Sequence, residues 1–171
     1  MGYAAAGAAV GVKHAKMLNH QVSLILGLRR AGIQGMLHRN TQGVLDLVNQ
    51  LSRTTSEYET FKGARDAIIF RCWGQFNLTR DAALLDTMQT CIEDFDATKH
   101  WAILPFFVAA TTELRGGIGD ITGACALLDR ALELVINTDE EWCAAEISRL
   151  QARFCVRDPL GKNRFVGGRP C

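Results

Sequence analysis

A repeat of about 40 residues is the feature that most limits what this chain can become. Phe61, Trp101 and Trp142 recur at intervals of 40 and 41, each shortly after a polar stretch. The pairs Leu45-Asp46, Leu85-Asp86 and Leu128-Asp129 recur at intervals of 40 and 43, nearly the same period. A repeat of that length is one supersecondary unit that cannot bury its apolar face alone, so copies must stack on one another.

Between the anchors the apolar residues keep helical spacing. Leu84, Leu85, Met88, Cys91, Ile92 and Phe95 place one stripe along a helix starting near Asp81. Ala124, Leu127, Leu128, Ala131, Leu132 and Val135 do the same one repeat later. Asp81, Asp120 and Asp139 stand where an N-cap side chain accepts hydrogen bonds from the first free backbone amides. Breaks fall at Arg39-Asn40-Thr41, at Asn77 to Arg80, at Gly116-Gly117-Ile118-Gly119 and at Asn137-Thr138-Asp139.

These signals predict about eight helices, over residues 3–18, 21–38, 41–54, 58–75, 81–95, 99–115, 120–136 and 140–155. Pro105 fits a first turn, where its missing amide has no intrahelical partner, so the sixth helix is expected to begin near Ile103. No stretch shows sustained β-branched alternation. The expected fold is therefore all-α, an α-α superhelix of tandem antiparallel hairpins of the tetratricopeptide type. The helical domain is expected over 1–155, with a disordered tail over 156–171. Ala82, Ala83, Gly123, Ala124, Ala126, Ala144 and Ala145 are small enough for close helix contact at the stacking surfaces.

With 48% apolar and 22% charged residues, the chain has ample material for a core. Nineteen basic against eighteen acidic residues leave almost no net charge, so direct binding of nucleic acid is not expected. The longest uncharged apolar run, Trp101 to Thr112, is too short to span a bilayer and is interrupted by Pro105. The N-terminus lacks the basic residue that precedes the apolar part of a secretory signal. A cytoplasmic protein without a membrane partner is the expectation, and the reducing cytosol suits its cysteines. Those six, at 72, 91, 125, 143, 155 and 171, include no C-x-x-C pair, and four of them fall within apolar helical patterns as small hydrophobes.

The segment GDITGACALLDRALELVINTDEEWCAAEISRLQARF, Gly119 to Phe154, resembles the terminal tetratricopeptide-like repeats of large bacterial proteins of the predicted-ATPase type. The likeness lies in Leu127-Leu128-Asp129, in Ala131-Leu132 and in Trp142 through Leu150. Residues 20–28 (HQVSLILGL), Trp73-Gly74 and Leu104 to Phe107 are similar to the preceding repeats, so the resemblance covers roughly residues 14–154. In such proteins the helical array follows an ATPase module, itself preceded by an adenylate/guanylate cyclase domain or a winged-helix DNA-binding domain. The resemblance implies a scaffold for protein-protein interaction or ligand sensing, a fragment of a larger signalling or transcriptional regulator. Its partner would be a protein or peptide on the concave surface, or the missing domains of the parent.

The chain begins inside what looks like the second helix of a repeat, and its tail departs from the family pattern. This suggests a gene remnant or split product whose uncapped apolar ends self-associate. The alternative is a regulatory segment of a cyclase or of an ATP-hydrolysing enzyme. ATPase activity does not carry over, because the only Gly-Lys pair, Gly161-Lys162, is followed by Asn163 and lacks the phosphate-loop pattern.

No enzyme is expected, and no catalytic, cofactor or metal residue is assigned. His14, His20, His38 and His100 lack the i, i+4 spacing of a helical metal site and fit helix ends. Glu140, Glu141 and Glu146, like Glu93, Asp94 and Asp96, read as solvated helix faces. Gly116-Gly117-Ile118-Gly119-Asp120 resembles a phosphate cradle, but no strand precedes it and Thr122 replaces the last glycine, so it reads as a turn needing positive φ. Trp73, Trp101 and Trp142 read as packing between hairpins. Arg29-Arg30 and Arg39 read as solvated helix surface.

Overall fold

A computed structural model describes residues 3–57, 61–97, 101–139 and 141–154. The expected disordered tail, 156–171, lies outside them, as do Cys155 and His100. Among the described residues the fold is all-α: α1 (Tyr3–Met17), α2 (Gln21–Leu37), α3 (Thr41–Glu57), α4 (Phe61–Thr79), α5 (Ala83–Ala97), α6 (Leu104–Gly117), α7 (Ile121–Thr138) and α8 (Ala144–Phe154). Single 3-10 turns, Trp101–Ile103 and Glu141–Cys143, lead into α6 and α8. No described helix is long and apolar enough to cross a membrane.

One turn is built three times. After α1, α2 and α6 a residue in the left-handed region ends the helix: Asn19 (φ 47°), Arg39 (φ 56°) and Gly119 (φ 90°). The amides of His20, Asn40 and Asp120 then donate back to the carbonyls of Ala15, Gly35 and Arg115 at 2.9–3.1 Å. Amides one residue earlier donate to Lys16, Met36 and Gly116. This paired closure satisfies carbonyls the helix end would otherwise orphan. The same His20, Asn40 and Asp120 cap the next helix, accepting from the amides of Ser23 (3.3 Å), Gly43 (3.0 Å) and Gly123 (2.9 Å). Each turn therefore ends one helix and starts the next on adjacent residues. With Arg80 (φ 59°) and Asp139 (φ 57°), the left-handed residues fall at 19, 39, 80, 119 and 139. Their spacings, 20, 41, 39 and 20, are about one half or the whole of the sequence repeat.

Two expected signals are corrected by this geometry. Asp139 is the left-handed C-cap of α7, a conformation that Asp tolerates better than most residues. The break expected from Asn77 comes later, because Asn77 donates to the Trp73 carbonyl (2.8 Å) and Thr79 to that of Gln75 (3.0 Å), leaving the helix intact to Thr79. Pro105 sits in the first turn of α6, as its chemistry requires.

The chain divides into two compact units, Met1–Thr87 and Met88–Cys171. In the first, α1 packs on α2, α2 on α3 and α3 on α4, while α2 also reaches α4. Ile25, Leu28, Gly32 and Met36 form the inward stripe of α2, and Val44, Val48 and Leu51 that of α3. The core helix is α4, which buries Ala67, Ile69, Phe70, Cys72, Trp73 and Phe76. A Cβ on Gly32 would stand 2.6 Å from the Phe70 ring, so the missing side chain is what admits this aromatic against α2.

In the second unit α6 packs on α7 and α8, and α7 on α8. Leu104 through Thr112 are buried without interruption, so α6 is the core helix here. Phe95 of α5 meets Phe107 at 5.8 Å between ring centroids. Ala124, Leu128 and Ala131 line α7, and Ile147, Leu150 and Phe154 line α8. Of the small residues expected at stacking surfaces, Ala124 is buried, whereas Ala82, Ala83, Ala126 and Ala145 face solvent. Composition alone does not distinguish a small residue that admits a neighbour from one that only favours helix. Cys72, Cys91 and Cys143 are buried and Cys125 is half-buried, in keeping with their expected role as small hydrophobes.

Candidate functional site

The first unit contains an ionic group inside its core. Asp66, on α4, has no solvent-exposed surface, and its Oδ2 accepts from Arg29 Nε of α2 at 2.5 Å. Its Oδ1 has no hydrogen-bond partner among the described residues. Arg65, next in the chain, is also buried, as are Thr54 and Thr55 of α3. Both hydroxyls turn back onto their own helix, to the carbonyls of Gln50 and Ser52. Burial pushes the Asp66 carboxyl up to about 6 from an ordinary 3.8, against the downward pull of the Arg29 charge and hydrogen bond.

This arrangement ties α2 to α4 through a carboxyl that takes up its proton at higher pH than an exposed aspartate does. Covalent catalysis would need an adjacent nucleophile and general base, and the hydrogen bonds described for Asp66 lead only to Arg29. Among the described residues no group of three or more His, Cys, Asp or Glu is placed to hold a metal ion.

Sequence reasoning missed Asp66 and misread Arg29. Arg29 is not solvated surface; its side chain is only 21% exposed because it reaches the carboxylate across the α2–α4 contact. Arg30 and Arg39, by contrast, are exposed. A partial signal was present. Ala67, Ile69, Phe70, Cys72 and Trp73 crowd α4 with apolar residues around Asp66, although Arg71 in the same run is exposed.

The other candidate residues are dispersed. His20 caps α2 through Nδ1, His14 is exposed on α1, and His38 is the exposed C-cap of α2. Asp96 pairs with Arg130 of α7 at 2.5 Å, and Glu93 accepts from Gln89 at 3.0 Å. Glu146 belongs to a network in which Arg149 bridges it to Glu113 of α6, with Arg153 also on Glu113 at 2.9 Å. Asp96 and Glu146 thus face guanidinium groups and Glu93 an amide, and Glu140 lies outside the described residues. Of the glycine segment, only Gly119 takes a positive φ. Trp73 is buried in the core of its unit. Trp142 lies against Phe106 at 5.5 Å, donates Nε1 to the Ala102 carbonyl at 3.2 Å and keeps 49% of its surface exposed. The Trp101 side chain lies outside the described residues.

Large apolar side chains also face solvent: Met17 (73%), Leu18 (76%), Val22 and Leu26 in the first unit, and Ile136 (78%) in the second. Clusters of exposed apolar residues of this kind mark interaction surfaces more often than chemistry. No protein-family model, curated protein or solved structure matches the chain.

Proposed function

We propose that the chain is a non-catalytic helical-repeat scaffold that binds a protein or peptide in the cytoplasm, as a segment of a larger ATPase-linked signalling or transcriptional regulator. On this reading its hairpins stack into a tetratricopeptide-like superhelix, with the partner on the concave surface. The observation that carries the proposal is the turn built three times at 15–20, 35–40 and 115–120 with the same hydrogen bonds. A sequence that repeats its helix stops and starts in this way is organised as an array, and arrays present extended binding surfaces. The exposed Leu18, Val22, Ile136 and Trp142 supply apolar area for such a partner.

The test is a thermal-shift and affinity-capture screen of the purified 171-residue chain against peptides and against candidate parent ATPase and cyclase domains. A saturable partner that raises the melting temperature is expected. Measurable ATP hydrolysis or cyclase activity by the purified chain would overturn the reading, as would the absence of any partner.

A further inference from the structure

The near-zero net charge conceals a separation along the chain. Residues 1–45 contain Lys13, Lys16, Arg29, Arg30 and Arg39 and no Asp or Glu. Lys13, Lys16 and Arg30 are exposed on the α1–α2 hairpin, interleaved with exposed Met17, Val22 and Leu26. Val22, Leu26 and Arg30 follow each other at four-residue spacing and so share one stripe of α2.

The second unit has the opposite character. From Met88 to Phe154, eleven Asp and Glu stand against five Lys and Arg. Four of those five, Arg115, Arg130, Arg149 and Arg153, already pair with carboxylates of the same unit. On either side of the Asp96–Arg130 bridge, exposed Glu93 of α5 and Glu133 of α7 lie one helical turn away. Ile136 follows Glu133 by another turn and is among the most exposed apolar residues described. One surface is therefore basic and apolar, the other acidic and apolar.

We infer that the chain binds a second copy of itself, the basic α1–α2 face of one copy taking the acidic α5–α7 face of the next. This inference rests on the scaffold reading above and names one partner for it. Opposite potentials on matching apolar ground steer and orient such a contact. Because the two faces differ, a single contact leaves one face of each kind open to a further copy.

Sedimentation velocity on the full chain tests this with two charge-reversed variants, K13E/K16E/R30E and E93K/E133K, whose helix content is first checked by circular dichroism. The wild type is expected to form a concentration-dependent series of species, with affinity weaker by on the order of tenfold when salt is raised from about 0.05 to about 0.5 M. Each variant alone is expected to be monomeric, since its two faces then carry the same sign. An equimolar mixture of the two is expected to associate again, because acidic α1–α2 faces then meet basic α5–α7 faces.

A monomeric wild type overturns the proposal, including one that binds phosphatidylserine vesicles or a poly-glutamate peptide, which would give the basic face a different occupant. Association indifferent to salt and to both reversals overturns it in favour of apolar contact alone. Failure of the mixture to associate does so as well. A monomeric wild type that still captures a partner in the thermal-shift screen would leave the scaffold reading standing.

Discussion

The two units place their polar groups differently. In the first, the core helix α4 carries an ionised pair into the interior, Asp66 with Arg29. In the second, the core helix α6 buries only hydroxyls, Thr111 and Thr112, each satisfied by the carbonyl four residues earlier at 3.0 Å. Counting 40 residues on from Asp66, the interval between Phe61 and Trp101, reaches Phe106. The second unit sets its charges at the margin of the core, where the nearly covered Glu113 meets the more exposed Arg149 and Arg153, with Glu146 also on Arg149. One unit thus buries a carboxylate in its core and the other buries hydroxyls in its own, a distinction that lies in single side chains.

The largest expected effect is common to both units. Trp73→Ala in the first and Phe107→Ala in the second should each cost about 3–5 kcal/mol by leaving a cavity in a close-packed core. Hydrogen exchange would show whether the loss stays within the unit that carries the substitution; equal deprotection of both would merge them into one cooperative body and end the comparison.

Proton dependence is the sharper discriminator. Asp66 is raised to about 6 when folded and titrates near 3.8 when exposed, so between those values the folded state binds the proton more tightly. The corresponding stability is fully present below about pH 4, is lost as pH rises toward 6 and stays lost above it, a span of about 3 kcal/mol in order of magnitude. Urea melts of wild type and Asp66→Asn across this range should diverge by that dependence, with the asparagine form flatter. Parallel curves would mean that the carboxylate is not desolvated as its burial indicates.

Smaller effects follow at the turns and at the surface. Asn40→Ala and Asp120→Ala each remove a cap and should cost about 1 kcal/mol, read from the thermal midpoint. Asp120→Ala should lose slightly more than Asn40→Ala, because Asp120 also pairs with Arg115 at 3.2 Å. Arg149→Ala should cost less than about 1 kcal/mol, because the guanidinium itself lies at the solvent boundary, 42% exposed, where salt screens the attraction. Its effect should disappear in about 1 M sodium chloride, whereas the effect of Arg29→Met should persist there.

Much of the fold was legible because its signals are local. Pro105 and Asp120 announce helix starts through groups within four residues, and the apolar stripes of α5 and α7 need only the helical period. Asp66 was not legible in that way. A charge in the sequence has no address until the helices pack, and Arg29 lies 37 residues from it. The apolar crowding of α4 around Asp66 did not separate it from Arg71, a charge in the same run that is exposed. Asp139 failed for the opposite reason: Asp suits both the start of a helix and a left-handed stop, and the sequence offers no means of choosing between them.

The turn at 15–20, 35–40 and 115–120 has a consequence for how this chain can change over time. With the stop of one helix and the cap of the next on neighbouring residues, there is no slack in which to hide an extra amino acid. A single insertion within a helix would rotate everything beyond it by about 100° and turn its buried stripe toward water. Gain or loss of a whole 40-residue block would return every stripe to its place. Such a chain is free to lengthen or shorten by entire hairpins and is nearly forbidden from doing so by single residues.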